Sequence, residues 1–348
     1  PELVGRSFSV IGNIEKEQVV ITALQDGEIA ENMLGDIMAA TEICRLPVGR
    51  FADRTRAFLR VQDGCDSYCS YCIVPYTRGP SRSLPLDETI RQAVLFAEAG
   101  HREIVVTGIH LGLYGRDLVA ETDITGLLDR LSAALPTMRY RISSLESQEI
   151  SERLLQLIAS RDNLLPHLHI PLQSGDDEIL SRMNRRYTTA RYADTITLCR
   201  RYLPEAAIGI DILVGFPGET EAHFQRTRDF IAALDCTYLH VFPYSDRQGT
   251  EAATFRGKVA KENKSRRAAE LLALSQEKKL AFYKRQLHRT LPVLVESQRT
   301  ADGRLKGFTD NYVPVEFAGP DALMDSIVMV ELREQKNTVI LGEVAEAR

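Results

Sequence analysis

The residues in this sequence most able to do chemistry are three cysteines in one short row, Cys65, Cys69 and Cys72. Their C-x3-C-x2-C spacing would wrap a single loop around one metal centre. Three thiolates can hold three irons of a cubane cluster and leave the fourth iron without a protein ligand. An open coordination position of this kind distinguishes a catalytic metal site from a structural one. The spacing therefore predicts that all three cysteines are ligands of a catalytic [4Fe-4S] cluster.

A structural zinc ion is the alternative for the same row. Zinc would need a fourth ligand, and the nearest histidines, His101 and His110, come about 30 residues later in the chain. The other cysteines, Cys44, Cys199 and Cys236, are isolated from one another, and we expect them to behave as small buried hydrophobic residues. The cluster is therefore the favoured interpretation.

Composition narrows the class of protein. The chain has 348 residues, of which 44% are hydrophobic and 26% charged, as is typical of a globular protein with two or three domains. No apolar run approaches the roughly 20 residues of a membrane span, and no signal peptide is visible. Six cysteines are too few for a disulfide scaffold in a chain of this length. We therefore expect a cytoplasmic protein that does not bind a membrane.

Alternating strand and helix patterns surround the cysteine row. The predicted strands are Ala57–Gln62, Glu103–Gly108, Arg139–Ser143, His167–Leu172, Ile208–Gly215 and Tyr238–Phe242. The helical patterns between them lie near residues 87–99, 123–134, 149–160, 189–202 and 221–234. These repeats predict an α/β fold in which a parallel sheet curls into a partial (β/α)6 barrel. Chemistry in such barrels occurs at the carboxyl ends of the strands, where the cysteine row falls.

The segments on either side of this barrel have other patterns. Near the start, an apolar stretch at Phe8–Ile11 leads into a helix, as at the end of an α/β unit. After the barrel, a charged helix at 261–287 precedes five short strands. These strands are Leu291–Glu296, Leu305–Asp310, Val313–Phe317, Ser326–Leu332 and Thr338–Val344. They predict a small OB-like barrel. The expected units are 1–50, 51–286 and 287–348.

With Tyr71, the aromatic residue before its last cysteine, the row resembles the radical SAM superfamily. The resemblance implies that the open iron binds the amino and carboxylate groups of S-adenosylmethionine (SAM). An electron from a donor such as flavodoxin or ferredoxin would then cleave SAM to a 5′-deoxyadenosyl radical. On this resemblance, the protein holds that radical against one hydrogen atom and excludes water.

Five further rows resemble the methylthiotransferases within this superfamily. They are residues 73–79 (IVPYTRG), 171–176 (PLQSGD), 183–188 (MNRRYT), 211–220 (DILVGFPGET) and 240–245 (HVFPYS). The similarity runs from about Gly12 to the C-terminus, and the tail resembles a TRAM domain. The resemblance implies that the partner is tRNA, recognised at its anticodon stem-loop.

Residues near the strand ends are candidates for binding SAM. They are Tyr71, Gly108, Glu146, Gln173, Ser174, Arg186, Ile212 and Phe242. Glu146 could accept hydrogen bonds from the ribose hydroxyls, or be a solvated loop acid. We expect Gln173 and Ser174 to face the barrel mouth. Arg186 could pair with the SAM carboxylate, and the neighbouring Arg185 is equally eligible.

The family divides by substrate into enzymes for isopentenylated adenosine in tRNA, threonylcarbamoylated adenosine in tRNA, and an aspartate of a ribosomal protein. Residues 108–118 (GIHLGLYGRDL), 82–83 and 310–312 most resemble the threonylcarbamoyladenosine branch. That branch implies transfer of a methylthio group to C2 of the adenine 3′ to the anticodon. The other two substrates are alternatives, as is a non-catalytic, zinc-bearing RNA-binding protein.

A basic belt could follow the RNA backbone. The net charge of the chain is −5, yet residues 256–289 carry eleven Lys and Arg against three Glu. The belt consists of Lys258, Lys261, Lys264, Arg266, Arg267, Lys278, Lys279, Lys284, Arg285 and Arg289. Phosphate neutralisation dominates RNA binding, although a solvated face is the alternative. In the adjoining barrel, Phe308 and Tyr312 are candidate stacking residues, with core packing as the alternative.

The N-terminus departs from the family pattern. Complete methylthiotransferases carry an N-terminal domain with three more cysteines, which hold a second [4Fe-4S] cluster involved in supplying sulfur. Only Cys44 precedes the cluster row here, and it does not match that set. We therefore expect residues 1–50 to be a remnant of that domain, and a second cluster only in the full-length protein.

Overall fold

The computed structural model describes residues 10–24, 32–44, 48–49, 51, 54–119 and 122–345. The strands are β1 (Val10–Ile11), β2 (Asn32–Met33), β3 (Arg56–Arg60), β4 (Gln62–Asp63), β5 (Arg82–Ser83), β6 (Glu103–Thr107), β7 (Arg139–Ile142), β8 (His167–His169), β9 (Ala207–Val214), β10 (Tyr238–Pro243), β11 (Thr290–Arg299), β12 (Leu305–Thr309), β13 (Pro314–Phe317), β14 (Ile327–Lys336) and β15 (Val339–Val344). The α-helices are α1 (Val19–Leu24), α2 (Val74–Arg78), α3 (Leu86–Glu98), α4 (Ile124–Ala134), α5 (Glu152–Ser160), α6 (Asp177–Arg182), α7 (Thr189–Tyr202), α8 (Glu221–Ala233) and α9 (Lys261–Arg285). The sequence patterns did not predict the short helices α2 and α6.

Six parallel strands form the central sheet, in the order β3–β6–β7–β8–β9–β10. Isolated bridges from Tyr140 to Leu164 and from Ser144 to His169 connect its two three-stranded halves. Among the described residues, no pairing joins β10 back to β3. The sheet is therefore a partial barrel open along one side, which confirms the predicted α/β architecture.

The helices around the sheet begin where the sequence offers a capping side chain. Asp123, Ser151, Thr188 and Thr220 each accept a hydrogen bond from a backbone N–H in the first turn of α4, α5, α7 and α8. Such caps satisfy amide groups that have no partner within the helix. They define where each loop from a strand ends, and the candidate site is built from these loops.

The main core lies between the outer face of the sheet and the helices. On β9, Ile208, Ile210 and Ile212 are fully buried within this core. Successive side chains of a strand point to opposite faces. Gly209 and Asp211 therefore face the barrel interior, on the side away from the helices.

Strands β11 to β15 close into a second barrel in the order β11–β12–β13–β15–β14. Its core contains Val293, Phe317 and Leu332, together with Phe282 and Tyr283 from the end of α9. A closed barrel of five strands confirms the predicted OB-like tail. The shared core ties the long helix α9 to this barrel.

A buried acid links the two barrels. The Glu103 carboxylate is fully buried at the start of β6 and lies 2.9 Å from Arg56, 3.0 Å from Arg139 and 2.9 Å from Arg141. Arg141 also donates a hydrogen bond to the backbone carbonyl of Asp310 at 3.0 Å. Burial alone would raise the pKa of Glu103, but the three guanidinium groups lower it to about 2. The sequence patterns did not reveal this junction.

The N-terminal segment contributes β1, which pairs in parallel with β2, and the helix α1. The Phe8 end of the predicted apolar stretch lies outside the described residues, whereas its Val10–Ile11 end forms β1. Within the part of the chain that the structure describes, no helix combines the length and apolar character needed to cross a membrane.

Candidate cofactor site

The three cysteines lie on the loop between β4 and α2, beyond the carboxyl end of β3. Gly64 begins this loop with a φ of 78°, and a Cβ atom there would lie 1.9 Å from the carbonyl oxygen of Pro80. The Cys65 amide donates a hydrogen bond to the Gly79 carbonyl at 3.1 Å. The antiparallel β4–β5 pair therefore holds the two ends of the loop together. The cysteine row lies where the sequence placed it.

A histidine lies beside the first cysteine. The Nδ1 atom of His110 is 3.4 Å from Cys65 Sγ and 3.0 Å from Ser67 Oγ, and its Nε2 atom is 2.6 Å from Glu149 Oε1. Burial alone would lower the pKa of His110, but hydrogen bonds with Cys65 and Glu149 raise it to about 10. Burial would raise the pKa of the Cys65 thiol, but hydrogen bonds with His110 and Ser67 lower it. Cys65 is therefore biased toward the thiolate form that binds metal.

The Glu149 side chain is itself held in place. It accepts a hydrogen bond from the Glu146 amide at 3.0 Å, and the Gln62 side chain accepts one from the His110 amide at 2.8 Å. A Cβ atom on Gly112 would lie 1.9 Å from a Glu149 carboxylate oxygen. A side chain at Gly112 would therefore displace the carboxylate that orients His110.

A buried arginine connects Glu146 to the second cysteine. Arg185 forms an ion pair with Glu146, and its Nη1 atom lies 3.5 Å from Cys69 Sγ. Its guanidinium also lies over the ring of Tyr187, 5.0 Å from the centroid. Burial would lower the pKa of Arg185, but Glu146 raises it. A permanent positive charge thus stands beside the thiols, where thiolate ligands would place negative charge.

These groups line a cavity of about 370 Å³, which we call the cofactor pocket. Its lining residues are Asp66, Ser67, Cys69, His110, Leu113, Arg116, Glu146, Gln148, Glu149, Asn184, Arg185 and Arg186. Carboxylates, guanidinium groups and amides alternate around one cysteine. Such a lining could hold a zwitterionic ligand that also carries hydroxyl groups.

The arrangement of the thiols distinguishes a cluster from a single ion. Of the described side chains, only His169, Asp211 and His240 form a group of three potential ligands whose atoms all lie within 4.8 Å of one another. The three thiols are not such a group, although ligands of one tetrahedral zinc would be separated by about 3.8 Å. A cubane binds each thiolate through a different iron and so needs the wider spacing. The loop fits a cluster.

Four of the predicted SAM-binding residues lie in or near the cofactor pocket. Glu146 and Arg186 line it, and Glu146 is paired with Arg185 instead of being a solvated loop acid. Burial raises the pKa of Tyr71, which lies near Arg185. Gly108 directly follows β6, and a Cβ atom there would meet the side chain of Gln62 at 2.8 Å.

Two predicted residues face elsewhere. Ser174 is 1% exposed, and its hydroxyl lies 3.3 Å from Thr227 Oγ1 on α8, so it packs under the loop and does not face the barrel mouth. The Ile212 side chain is 0% exposed in the core between sheet and helices. The alternation of side chains along β9 points Ile212 toward the helices. The sequence motif does not reveal this direction.

Of the two remaining candidates, Gln173 lies at the carboxyl end of the sheet and Phe242 lies on its interior side. Gln173 has a φ of 68° and bridges to Ile212, at the carboxyl end of the sheet. Phe242 is 50% exposed, and its ring centroid is 6.4 Å from that of His240. Its exposed ring is available for stacking. SAM binding by either residue stays a prediction.

Several residues of the cofactor pocket were not among the predicted cofactor-binding residues. They include His110, Glu149, Gln148, Asn184 and Arg116. His110 follows β6, and Gln148 and Glu149 follow β7, each within a few residues of the strand end. Polar residues directly after a barrel strand were the available signal, because the carboxyl ends of neighbouring strands converge.

A second cavity, of about 850 Å³, lies inside the partial barrel and is lined on one side by the C-terminal barrel. We call it the interdomain cavity. Its walls include Ser144, His169, Tyr238 and His240 from the sheet, Lys279 and Phe282 from α9, and Glu296, Phe308 and Tyr312 from the second barrel. The Asp211 carboxylate accepts hydrogen bonds from His169 at 2.8 Å and His240 at 3.2 Å. Burial alone would raise the pKa of Asp211, but these hydrogen bonds lower it to about 2.

Most of the basic belt is engaged by the protein itself. Arg267 is buried against Glu219, Arg266 pairs with Glu221 and Glu270, and Arg289 pairs with Glu205 at 2.6 Å. Lysines 258, 264 and 278 donate hydrogen bonds to backbone carbonyls, and Arg285 lies 3.9 Å from Asp235. Lys279 lines the interdomain cavity. Lys261 and Lys284 are exposed, and within the described residues they form no ion pair. The helix is chiefly attached to the barrel and does not form a continuous free cationic face.

The two candidate stacking aromatics are also engaged internally. The rings of Phe308 and Tyr312 stack with centroids 4.7 Å apart at 19°. Arg56 lies over Phe308 at 5.0 Å and Arg141 over Tyr312 at 4.7 Å. Both rings line the interdomain cavity. The packing alternative therefore describes them better than an outward surface for RNA.

The part of the chain that carries the cysteine loop is similar to a known superfamily. The family model described as "Radical SAM superfamily" matches residues 59–231, which extend from the end of β3 into α8 and include the cysteine loop. A solved structure, coproporphyrinogen III oxidase (HemN) from Escherichia coli, described as a radical SAM enzyme, is 13% identical, with a TM-score of 0.49 over 82% of this chain and 68% of that chain.

Curated relatives then define the family. Threonylcarbamoyladenosine tRNA methylthiotransferase MtaB of Bacillus subtilis (strain 168) is 36% identical over 93% of this chain and 73% of the relative. tRNA-2-methylthio-N(6)-dimethylallyladenosine synthase of Geobacillus thermodenitrificans (strain NG80-2) is 33% identical over 95% of this chain and 61% of the relative. The chain belongs to the radical SAM tRNA methylthiotransferase family. It is therefore a transferase whose cofactors are a [4Fe-4S] cluster and SAM.

Proposed function

We propose that this enzyme adds a methylthio group to C2 of N6-threonylcarbamoyladenosine next to the tRNA anticodon. The observation that carries the substrate assignment is the 36% identity over 93% of the chain to a relative named for that nucleoside. A second relative with the same name, from Rickettsia prowazekii (strain Madrid E), is 37% identical over 88% of the chain. The dimethylallyladenosine relative has nearly the same identity, so that nucleoside is the competing substrate.

In this proposal, Cys65, Cys69 and Cys72 hold three irons of the cluster. The cluster, when bound, supplies the electron that cleaves SAM. His110 and Arg185 contact the sulfurs of Cys65 and Cys69 and place positive charge beside them. Cationic and hydrogen-bonding neighbours stabilise the negative charge of thiolate ligands and tune the reduction potential.

The cofactor pocket supplies the groups that would orient SAM. Exposed Arg186 can pair with the carboxylate of SAM, while Arg185 keeps the Glu146 carboxylate in a fixed position. Asn184 and Gln148 add amide donors and acceptors. Radical chemistry requires that the SAM ribose carbon and the target atom be held together without water. The chain contributes this positioning through loops fixed at the carboxyl ends of the strands.

We further propose that residues 51–286 form the catalytic domain and residues 287–348 a TRAM domain that contacts tRNA, after a remnant of the N-terminal domain at 1–50. The reaction needs an external electron donor such as flavodoxin or ferredoxin. Since tRNA is the partner, we propose that the enzyme acts in the cytoplasm.

The assignment is tested by mass spectrometry of tRNA nucleosides from a strain that lacks the gene. We expect the 2-methylthio derivative of N6-threonylcarbamoyladenosine to disappear and its unmethylthiolated precursor to accumulate. Complementation with the intact gene should restore the product, and complementation with its Cys69→Ala variant should not. Loss of the dimethylallyladenosine product instead would replace the proposed substrate with its competitor.

A further inference from the structure

We propose that the interdomain cavity receives the N6 side chain of the substrate nucleoside and that Lys279 binds the carboxylate of that side chain. This inference rests on the proposed function and identifies the residue that selects the substrate. The place of the cavity, the charges on its wall and the polar groups that line it each support the inference.

The interdomain cavity adjoins the cofactor pocket. Ser144 lines the interdomain cavity and Glu146, two residues further along the chain, lines the cofactor pocket. Two residues of extended chain span about 7 Å, so the walls of the two spaces are neighbours just beyond the carboxyl end of β7. The C2–H bond of adenine and its N6 substituent diverge around the ring. A base whose C2 lies at the cofactor end can therefore extend its N6 side chain into the interdomain cavity.

The charges on the cavity wall favour an anionic group. The acid Glu296 is paired with Arg56 at 3.3 Å and with Lys306 at 3.8 Å. Lys279 has a different environment, because its Nζ atom lies 5.9 Å from the ring centroid of Tyr238 and, within the described residues, it forms no ion pair. A cation without an acidic partner in a partly enclosed cavity binds a carboxylate more favourably than a neutral group.

The two histidines on the cavity wall, His169 and His240, do not supply a free positive charge for the carboxylate. His169 and His240 both contact Asp211, so the network already contains its own negative charge. The network can offer polar atoms to the ureido and hydroxyl groups of a threonylcarbamoyl side chain. A dimethylallyl group would satisfy neither these atoms nor Lys279, and would leave both without partners. The wall therefore suits the charged side chain.

The experiment compares two anticodon stem-loop RNAs that differ by one charge. One carries N6-threonylcarbamoyladenosine, and the other carries the methyl ester of the same side chain, which has nearly the same shape. Dissociation constants are measured for the enzyme and for Lys279→Ala, Lys279→Arg and Lys284→Ala, with thermal unfolding to confirm that each variant folds. Lys284 is the matched control because it is exposed on the same helix.

We expect the enzyme to bind the acid roughly tenfold more tightly than the ester, a difference equivalent to about 1.4 kcal/mol. Lys279→Ala should abolish this preference by weakening binding of the acid only, and Lys279→Arg should retain most of it. Lys284→Ala should change both affinities by the same factor. A folded Lys279→Ala variant that keeps the full preference, or a wild type without one, would overturn the inference. Nucleoside analysis of the deletion strain decides the proposed function separately.

Discussion

At the scale of single residues, the fold depends on how a few buried charges are compensated. Glu103 is surrounded by three arginines from β3 and β7, and one of these reaches the second barrel. A buried carboxylate of this kind is tolerated only because its charge is fully paired. Conversely, Arg139 and Arg141 depend on it, since its removal would leave these two buried guanidinium groups close together without their acidic partner.

Replacement of Glu103 by Gln should lower the free energy of unfolding at pH 7 by about 3–5 kcal/mol. The substitution removes the negative charge of the network and leaves its buried arginines unpaired. Urea denaturation measures this value. Glu98→Gln, an exposed position on α3, is the control and should change stability by less than about 0.5 kcal/mol. An equal, small effect at both positions would contradict the role assigned to the network.

The same carboxylate predicts a pH dependence with a defined sign. The pKa of Glu103 falls from 4.5 to about 2 on folding. A lowered folded-state pKa contributes stability that is complete above about pH 4.5 and is lost as the pH falls toward 2. Urea midpoints of the wild type should decline through this range, and the Glu103→Gln variant should lack that component.

At the scale of elements, the conformation of the cysteine loop depends on Gly64, which lies just outside the C-x3-C-x2-C motif. Gly64 has a left-handed φ, and its backbone approaches Pro80 so closely that a Cβ atom cannot fit. Because the adjacent residue is Cys65, a shift of the backbone here displaces the first proposed cluster ligand. The β4–β5 pair and the loop therefore form one unit.

Gly64→Ala should reduce the iron bound per chain after anaerobic reconstitution by more than half, as measured by iron analysis and absorbance. Gly100→Ala is the matched control: its φ of 93° is also left-handed, but a Cβ atom there meets nothing within 4 Å. That variant should lose about 1–2 kcal/mol of stability from backbone strain and keep its iron. Full iron content in Gly64→Ala would show that the loop can relax around the clash.

The charge of helix α9 in the sequence is larger than the free charge that the helix presents in the folded protein. Its positive charges suggested an RNA-binding face, but Arg267 and others are neutralised by acids on the barrel. Linear charge counts cannot show this, because the neutralising groups are distant in the sequence. The helix is thus an attachment between the two barrels as well as a surface element.

At the scale of the whole molecule, the remaining free charges should determine how RNA binding responds to salt. Lys261 and Lys284 are exposed belt lysines that form no ion pair within the described residues. Replacing both by Ala should reduce the slope of log affinity against log salt concentration by about 1.4–1.8 if each contacts one phosphate of tRNA. Titrations between low and physiological salt measure the slope.

The control for that experiment uses belt residues already paired within the protein. The double variant Arg266→Ala and Arg289→Ala removes two charges held by Glu221, Glu270 and Glu205. Its slope should change by less than half as much as that of the lysine variant. If the arginine variant instead changed the slope more than the lysine variant, the whole belt would be the RNA-binding face.

The candidate site was accessible to sequence reasoning only in part. The cysteine spacing and the position of the row after the first barrel strand predicted the site, because ligands of one centre must lie close along the chain. Ser174 was expected to face the barrel mouth but packs against Thr227, and the Ile212 side chain lies in the core, because a residue near a strand end can face either side of the sheet. His110 was considered only as a distant zinc ligand, and folding brings it to 3.4 Å from Cys65 Sγ.

The sequence by itself determined the order of the main barrel strands and helices, the α/β class, the five-stranded tail and the row proposed to bind the cluster, because periodicity and close spacing are local properties of the chain. Tertiary structure alone decided which charges remain free, which side chains line the cofactor pocket, and that an interdomain cavity exists. These depend on contacts between residues far apart in sequence, such as Arg141 with Asp310 and Arg185 with Cys69. No local pattern encodes such contacts, since each is fixed by how the strands and the two barrels pack together.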